Sequence, residues 1–286
     1  MVVTPARLAA EALRFLPRKS LSRAVGRAAS ARPSKSAVKQ AIDAFVRAYD
    51  VDVSEAIVPE GGYESFDDFF TRRLVPGARP VASDPRTVVS PADGRIEDFG
   101  PIEADGTLLV KGKPYAVAEL LGDPGEAARY LGGSYFIVYL SPRDYHRVHA
   151  PVAGRIVRMR YVPGTLYPVN SIGLDHVDRV FAQNERVAIV QEGPIHSEVT
   201  TVMVGAIGVG RIGLAFDDLE TNRDLEASVK HYGASGLDRA KGDELGVFHL
   251  GSTAIVFTTP AARLAFRIEA GATVRMGQAV ATGGPT

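Results

Sequence analysis

Apolar positions recur with two different periods along the chain, and the change falls near residue 88. Between Ser36 and Asp50, residues Val38, Ile42, Phe45, Val46 and Tyr49 repeat at helical spacing and predict an amphipathic helix packed on the body. A further helix is predicted to start at Ser65. Its side chain caps the first turn while Asp68 takes the capping-box position, and Phe66, Phe69, Phe70 and Leu74 form an aromatic stripe expected in the core. Nearer the N-terminus, Thr4-Pro5 opens a helix that puts Leu8, Ala12, Phe15 and Leu16 on one face before Pro17, and a second short segment sets Leu21 and Val25 opposite Arg23 and Arg27. From about Val88 the pattern becomes short β-branched runs punctuated by Gly and Pro: Tyr135 to Leu140, Gly154 to Tyr161, Val187 to Gln191, Thr200 to Ile207, Ala254 to Thr258 and Ala265 to Ile268. Helix is expected again around Val117 to Leu131. Asp243 to Phe248 and Gly271 to Val280 read as successive hairpins of one sheet system. Gly-Arg-Ile recurs at 94, 154 and 210 and hints at repeated β units.

These elements predict an α+β protein. A β-rich body of short strands and hairpins, barrel-like or sandwich-like, carries amphipathic helices at its N-terminus. Two regions are expected: residues 1–62 as a basic helical arm for membrane association, and 63–286 as the catalytic domain. The 286 residues, 45% of them apolar, are enough for a sizeable core. Charged residues interrupt every apolar run before it reaches the roughly 20 residues that cross a bilayer, so no transmembrane anchor is expected. The chain has no cysteine, which removes disulfides, thiolate metal sites and a Cys nucleophile. Zero net charge hides an asymmetry, because residues 1–39 hold nine Lys or Arg against a single acid, Glu11. On charge alone, such an arm suits nucleic acid or anionic lipid. It reads equally as a solvated Arg-rich helix, an interfacial helix or a transit peptide.

Three segments carry candidate chemistry. His146 and His149 lie in Tyr145-His146-Arg147-Val148-His149, just past an apolar strand, and at a spacing of three on extended chain they point to different sides, which implies two jobs. Ser90-Pro91-Ala92-Asp93-Gly94 puts a carboxylate at a turn, where an Asx-type turn is the plain alternative. Lys241 to Thr253 ends in Gly251-Ser252-Thr253 and runs straight into the apolar strand Ala254-Ile255-Val256-Phe257.

Taken in order, these blocks resemble the pyruvoyl-dependent phosphatidylserine decarboxylases. The resemblance rests on Phe69-Phe70-Thr71-Arg72-Arg73-Leu74 with Pro76-Gly77-Ala78-Arg79-Pro80, Ser90 to Gly94, Lys111-Gly112 with Tyr115 and Leu120-Leu121-Gly122, Tyr145 to His149, Gly164 to Asn170, Asn184-Glu185-Arg186 and Lys241 to Thr253. It covers about residues 65–260 and leaves the N-terminal arm outside. It implies a precursor that cuts itself between Gly251 and Ser252 into a large chain 1–251 and a small chain 252–286. A serine-protease-like triad is implied at Asp93, His149 and Ser252: Asp93 fixes the tautomer of His149, which takes the proton from Ser252 as that hydroxyl attacks the Gly251 carbonyl. Elimination and hydrolysis then turn Ser252 into a covalent pyruvate (pyruvoyl) group. That group forms an imine with the substrate amine and acts as electron sink for decarboxylation of phosphatidylserine to phosphatidylethanolamine. The resemblance makes His146 the proton donor of this second reaction.

No metal and no added cofactor are expected. The implied partners are phosphatidylserine, an anionic membrane surface and the two chains of one precursor; a homodimer is allowed, and nucleic acid is not expected. The implied place is the periphery of a membrane, favoured as the cytoplasmic face of a bacterial cell membrane because the arm is short. Other readings are a pyruvoyl decarboxylase of another amino acid, a zinc hydrolase using the paired His and an Asp, and a non-enzymatic lipid-binding β module.

Overall fold

The computed structural model describes residues 17–208, 210–233 and 236–284. The helix expected from Thr4 to Leu16 lies outside them. Three helices precede the sheets: α1 (Arg18–Ser30), α2 (Lys35–Tyr49) and α3 (Phe66–Phe70). The Ser34 side chain caps α2, which ends at Asp50 in a left-handed conformation. The Ser65 hydroxyl accepts the Asp68 amide at 3.1 Å to start α3, as the capping pattern predicts. Five residues make a helix too short to persist alone. Phe45 of α2 packs edge-on against Phe66, Phe69 and Phe70, and this aromatic cluster holds α3.

The strands in chain order are β1 (Thr87–Val89), β2 (Gly94–Pro101), β3 (Thr107–Val110), β4 (Lys113–Ala116), β5 (Ser134–Leu140), β6 (Arg147–His149), β7 (Gly154–Val162), β8 (Arg186–Gly193), β9 (Ser197–Gly205), β10 (Arg211–Leu214), β11 (Ser228–His231), β12 (Leu237–Arg239), β13 (Glu244–His249), β14 (Ser252–Thr258), β15 (Leu264–Phe266), β16 (Thr273–Val274) and β17 (Ala279–Gly283). Nine form one antiparallel sheet in the order β11-β7-β8-β9-β14-β5-β2-β16, with β12 beside β7. Two three-stranded sheets, β10-β13-β6 and β1-β17-β15, and the β3-β4 hairpin complete the body. The architecture is therefore the α+β, strand-dominated one expected.

Strand β14 lies between β9 and β5, and all seven of its residues are buried. One of its faces puts Ile255 and Phe257 into a cluster with Leu120, Tyr130, Leu174 and Phe181, so the short helices at 117–121, 124–127, 171–176 and 180–183 cover that side. The other face puts Ala254 against Val148, Ile212, Leu245 and Phe248 of the β10-β13-β6 sheet, and Val256 near Val88 and Val280 of the β1-β17-β15 sheet. Each fully buried large aliphatic or aromatic side chain contributes about 1.5–3 kcal/mol.

Three expectations need correction. Segment 271–280 is not a hairpin: β16 joins β2 in the large sheet, whereas β17 pairs with β1 and β15. Likewise 243–248 is no hairpin: from Glu244 it runs in a single strand, β13, between β10 and β6. The Gly-Arg-Ile copies open strands with unrelated neighbours. At the first two, a Cβ would stand 2.3 Å from the Tyr139 carbonyl or 2.5 Å from that of Glu192, so close backbone approach, not a repeated unit, accounts for the shared glycine. In α1, Ser22 and Ala29 are buried while Leu21 and Val25 stay 42% and 39% exposed. The helix approaches the body through small residues and leaves its apolar pair outside.

Candidate active site

The chain leaves the small sheet at His249, the end of β13, and enters the centre of the large sheet at Ser252. Only Leu250 and Gly251 span the crossing, and both are left-handed, with φ of 65° and 71°. For leucine that conformation costs on the order of 1–3 kcal/mol. Glycine adopts it freely, and a Cβ at 251 would come within 3.0 Å of the Ile207 carbonyl. Ser252 is paired opposite Leu140 on one side and Gly205 on the other. By strand alternation its side chain shares the face of Ala254, toward the small sheet. Its Oγ is buried and has no hydrogen-bond partner, and the same is true of Thr253 Oγ1. A buried hydroxyl left unpaired costs about 1–3 kcal/mol, so this strand end is strained both in backbone and in polarity.

The two histidines occupy separate surroundings, as their spacing predicts. His149 Nδ1 lies 2.7 Å from the Gly242 carbonyl, and Nε2 lies 3.1 Å from the Tyr145 hydroxyl. A carbonyl only accepts, so Nδ1 carries the proton and Nε2 keeps the basic lone pair, which accepts from Tyr145. Burial pushes the Tyr145 phenol up to about 12, so it stays neutral. His146 is wholly buried, with its ring 4.1 Å from that of Phe70. Its Nδ1 donates to the Asp144 carbonyl at 2.8 Å, which leaves Nε2 as a buried acceptor without a partner. Burial lowers His149 below its ordinary value, against the pull of the Gly242 hydrogen bond and the Glu244 and Asp93 charges. It pushes His146 down to about 3. Both rings are neutral bases near pH 7.

Asp93 is not in an Asx turn. Its carboxylate accepts from Arg79 Nε at 2.9 and 3.0 Å, from Arg79 Nη2 at 2.6 Å and from the Met276 amide at 2.8 Å. Arg79 also donates to Glu55 at 2.6 Å, and these two carboxylates raise its affinity for its proton against the effect of burial. The backbone of His149 reaches the Asp93 turn, donating to the Pro91 carbonyl at 2.8 Å. Among the described residues, however, no side-chain hydrogen bond joins Asp93 to His149 or His149 to Ser252. The structure therefore brings Asp93 and His149 onto adjoining backbone, and it orients the imidazole with a carbonyl instead of a carboxylate.

Arg79, Tyr145 and Gly242 stand in the sequence only as members of the resemblance blocks, with nothing there to assign them a role. The ion pair of Arg79 with Asp93 spans fourteen residues, and the Gly242 contact is a backbone one that no side-chain pattern announces. A cleft of about 200 Å³ opens here, lined by Asp93, Arg79, Arg72, Asp144 and Tyr145 among others. Arg72 is buried, and its Nε and Nη1 have no acceptor. Other resemblance blocks prove to be scaffolding: Asn184 binds Tyr167 through both its backbone groups, and Arg186 is held by carbonyls of Leu120, Ala182 and Asn184. Among the described residues, no three His, Asp or Glu side chains gather as a metal site, and no helix is long and apolar enough to cross a membrane.

The buried histidines make stability depend on pH in a defined direction. Their folded-state affinity for protons is depressed, so the stability they contribute is present above about pH 6.5 and is lost as pH falls, for His146 down toward 3. Urea midpoints of the wild type are expected to drop between pH 7 and 4 more steeply than those of His146→Gln; equal slopes would contradict this origin.

Comparison with known proteins bears on the same residues. The family model for phosphatidylserine decarboxylase matches residues 66–282. The chain is 42% identical over 276 residues to a phosphatidylserine decarboxylase proenzyme of Anaeromyxobacter sp. (strain K), covering 95% of this chain and 97% of that one. It is 40% identical over 271 residues to the proenzyme of Brevibacillus brevis, covering 93% and 95%. With the proenzyme of Pseudomonas aeruginosa (strain LESB58) the identity is 44% over 277 residues, covering 93% and 94%. Aligned over nearly its whole length with precursors of one activity, the chain belongs to the phosphatidylserine decarboxylase family of carboxy-lyases.

Proposed function

We propose that this chain is a self-cleaving precursor whose Ser252 becomes the prosthetic group that decarboxylates phosphatidylserine. The observation that carries the reading is the buried, unpartnered Ser252 hydroxyl directly after two left-handed residues. In the first reaction His149, neutral and with its lone pair on Nε2, takes the Ser252 proton as Oγ attacks the Gly251 carbonyl. To do so it exchanges the Tyr145 hydroxyl for that of Ser252. Asp93 supplies negative charge to the imidazolium that forms, and Arg79 holds Asp93 in place. The Ser252 oxygen leaves with Gly251 as the new carboxylate of the large chain. Water replaces the nitrogen of residue 252, which departs as ammonia.

The pyruvoyl group would be made from residue 252 itself, at the buried head of β14, where the unpartnered Ser252 hydroxyl is free of any structural hydrogen bond that its departure would break. Once formed, it supplies an electron sink for loss of carbon dioxide. The surrounding residues bind the substrate and move protons. His146 is assigned the delivery of a proton to the α-carbon after carbon dioxide leaves, and because the product amine departs as an ammonium the second reaction consumes one proton overall. Arg72, buried on the cleft wall with Nε and Nη1 unpaired, provides donors for an anionic headgroup.

The substrate sits in a membrane, and residues 1–62 are assigned to reaching it, with 63–286 as the catalytic domain. Leu21 and Val25 are exposed on one side of α1, with Lys19, Arg23 and Arg27 on the opposite side, an amphipathic arrangement suited to the interface of an anionic bilayer. The favoured location is the cytoplasmic face of a bacterial membrane.

Self-cleavage and decarboxylation separate the two histidines. His149→Ala is expected to slow self-cleavage by at least about 10²-fold, the ordinary worth of a general base. His146→Ala is expected to mature and then release carbon dioxide from phosphatidylserine vesicles about 10²-fold more slowly per cleaved molecule. The reverse pattern would exchange the roles, and equal turnover of free serine would remove the lipid substrate. Leu21→Asp with Val25→Asp is expected to lower co-sedimentation with phosphatidylserine vesicles several-fold while leaving cleavage unchanged; unaltered sedimentation would contradict the role of α1.

A further inference from the structure

His249 is two residues upstream of the cut, and neither proposed reaction uses it. Its Nδ1 lies 2.8 and 2.9 Å from the two carboxylate oxygens of Asp67 on α3. The same carboxylate accepts from Arg211 Nη2 at 2.6 Å and from Ser30 Oγ at 3.3 Å. Arg211 stands opposite His249 in the β10-β13 ladder, and its Nη2 is also 2.7 Å from Nδ1. Nδ1 either donates to Asp67 or accepts from Arg211, and not both. A carboxylate accepts from imidazole and guanidinium together, so the proton belongs on Nδ1. Burial pushes the Asp67 carboxyl up, but the hydrogen bond and charge of His249, with Arg211 and Ser30, outweigh it and hold the group below its ordinary value. Three segments remote in sequence, α1, β10 and β13, thus converge on the one carboxylate that α3 supplies.

Its place in the chain gives this cluster a purpose. The Leu250-Gly251 turn keeps two consecutive left-handed residues only while both flanks are fixed. Downstream, β14 is paired on both sides from Ser252 onward. Upstream, the β13 ladder reaches its last pair at His249, and the imidazole is the final side-chain anchor before the turn. After the cut, residues 249–251 are the tail of the large chain, and the turn no longer has a conformation to keep.

We infer that Asp67 and Arg211 are positioning residues which, acting through His249, hold the Leu250-Gly251 turn in its cleavable conformation and serve self-cleavage but not decarboxylation. The inference rests on the self-cleavage proposed above.

The test is a time course of intact mass for full-length chains made by cell-free synthesis: wild type, Asp67→Asn, His249→Leu and His249→Lys. Carbon dioxide release from phosphatidylserine vesicles is measured per cleaved molecule. Asp67→Asn and His249→Leu are expected to cleave at least tenfold more slowly. His249→Lys keeps a donor for Asp67 and is expected to recover to within about threefold of wild type. Decarboxylation per cleaved molecule stays within twofold throughout. Wild-type cleavage rates in both slow variants overturn the inference, and so does a parallel loss of decarboxylation, which marks a general structural role. If Asp67→Asn does not fold, the position 249 pair decides: equal rates for Leu and Lys overturn it. A wild type that never cleaves would instead refute the self-cleavage reading.

Discussion

Everything at this site depends on the two-residue crossing by which the chain passes from the central strand of a small sheet into the middle of a large one. Strand β14 is paired along its whole length with β5 and β9 and buried on both faces. A slip of one residue would turn its entire apolar set to the wrong sides, so the register is strongly fixed and Ser252 with it. That leaves the torsion at Leu250 and Gly251 to absorb the change of direction. The same pairing makes a break between 251 and 252 tolerable. The segment after it contributes β14 to the large sheet, β16 to its edge at β2, and β15 and β17 to the sheet with β1, so it stays bound by strands on three sides.

Burial, more than charge, sets the chemistry of the neighbourhood. His146 and His149 are kept neutral by exclusion from water, and backbone carbonyls choose their tautomers. Charges are instead compensated in pairs: Arg79 with Asp93 and Glu55, Arg147 with Glu244, Asp67 with Arg211. Breaking one partner from such a pair leaves an uncompensated buried charge, which costs several kcal/mol. The ionic groups therefore act as a frame around two neutral bases and an unpartnered hydroxyl.

The elements with a clear period were legible in the sequence. Residues 36–50 gave a helix within one position at either end, the Ser65 cap formed, and the apolar runs from 135, 154, 187, 200 and 254 all became strands. Position and partner were harder. Alternation in 271–280 does not say which sheet a strand joins, and two short strands there went to different ones. Leu21 and Val25 read as the apolar face of an amphipathic segment and they stay exposed, whereas the small residues Ser22 and Ala29, which no period marks, are the ones that meet the body. At the site, the residue types Asp93, His146, His149 and Ser252 were visible, while the contacts that orient them were not. Arg79 pairs with Asp93 across fourteen residues, Gly242 contributes only a carbonyl, and His249 meets Asp67 from a helix nearly two hundred residues away, all of which are properties of the folded chain.

The central claim is that the hydroxyl at the head of β14 cuts the chain before it. Intact-mass spectrometry of freshly purified wild type beside Ser252→Ala tests it most directly. Two wild-type chains are expected, one ending at Gly251 and one beginning with a pyruvoyl group at position 252, and a single uncut chain for the variant. A folded wild type that remains one unmodified chain of 286 residues would contradict it.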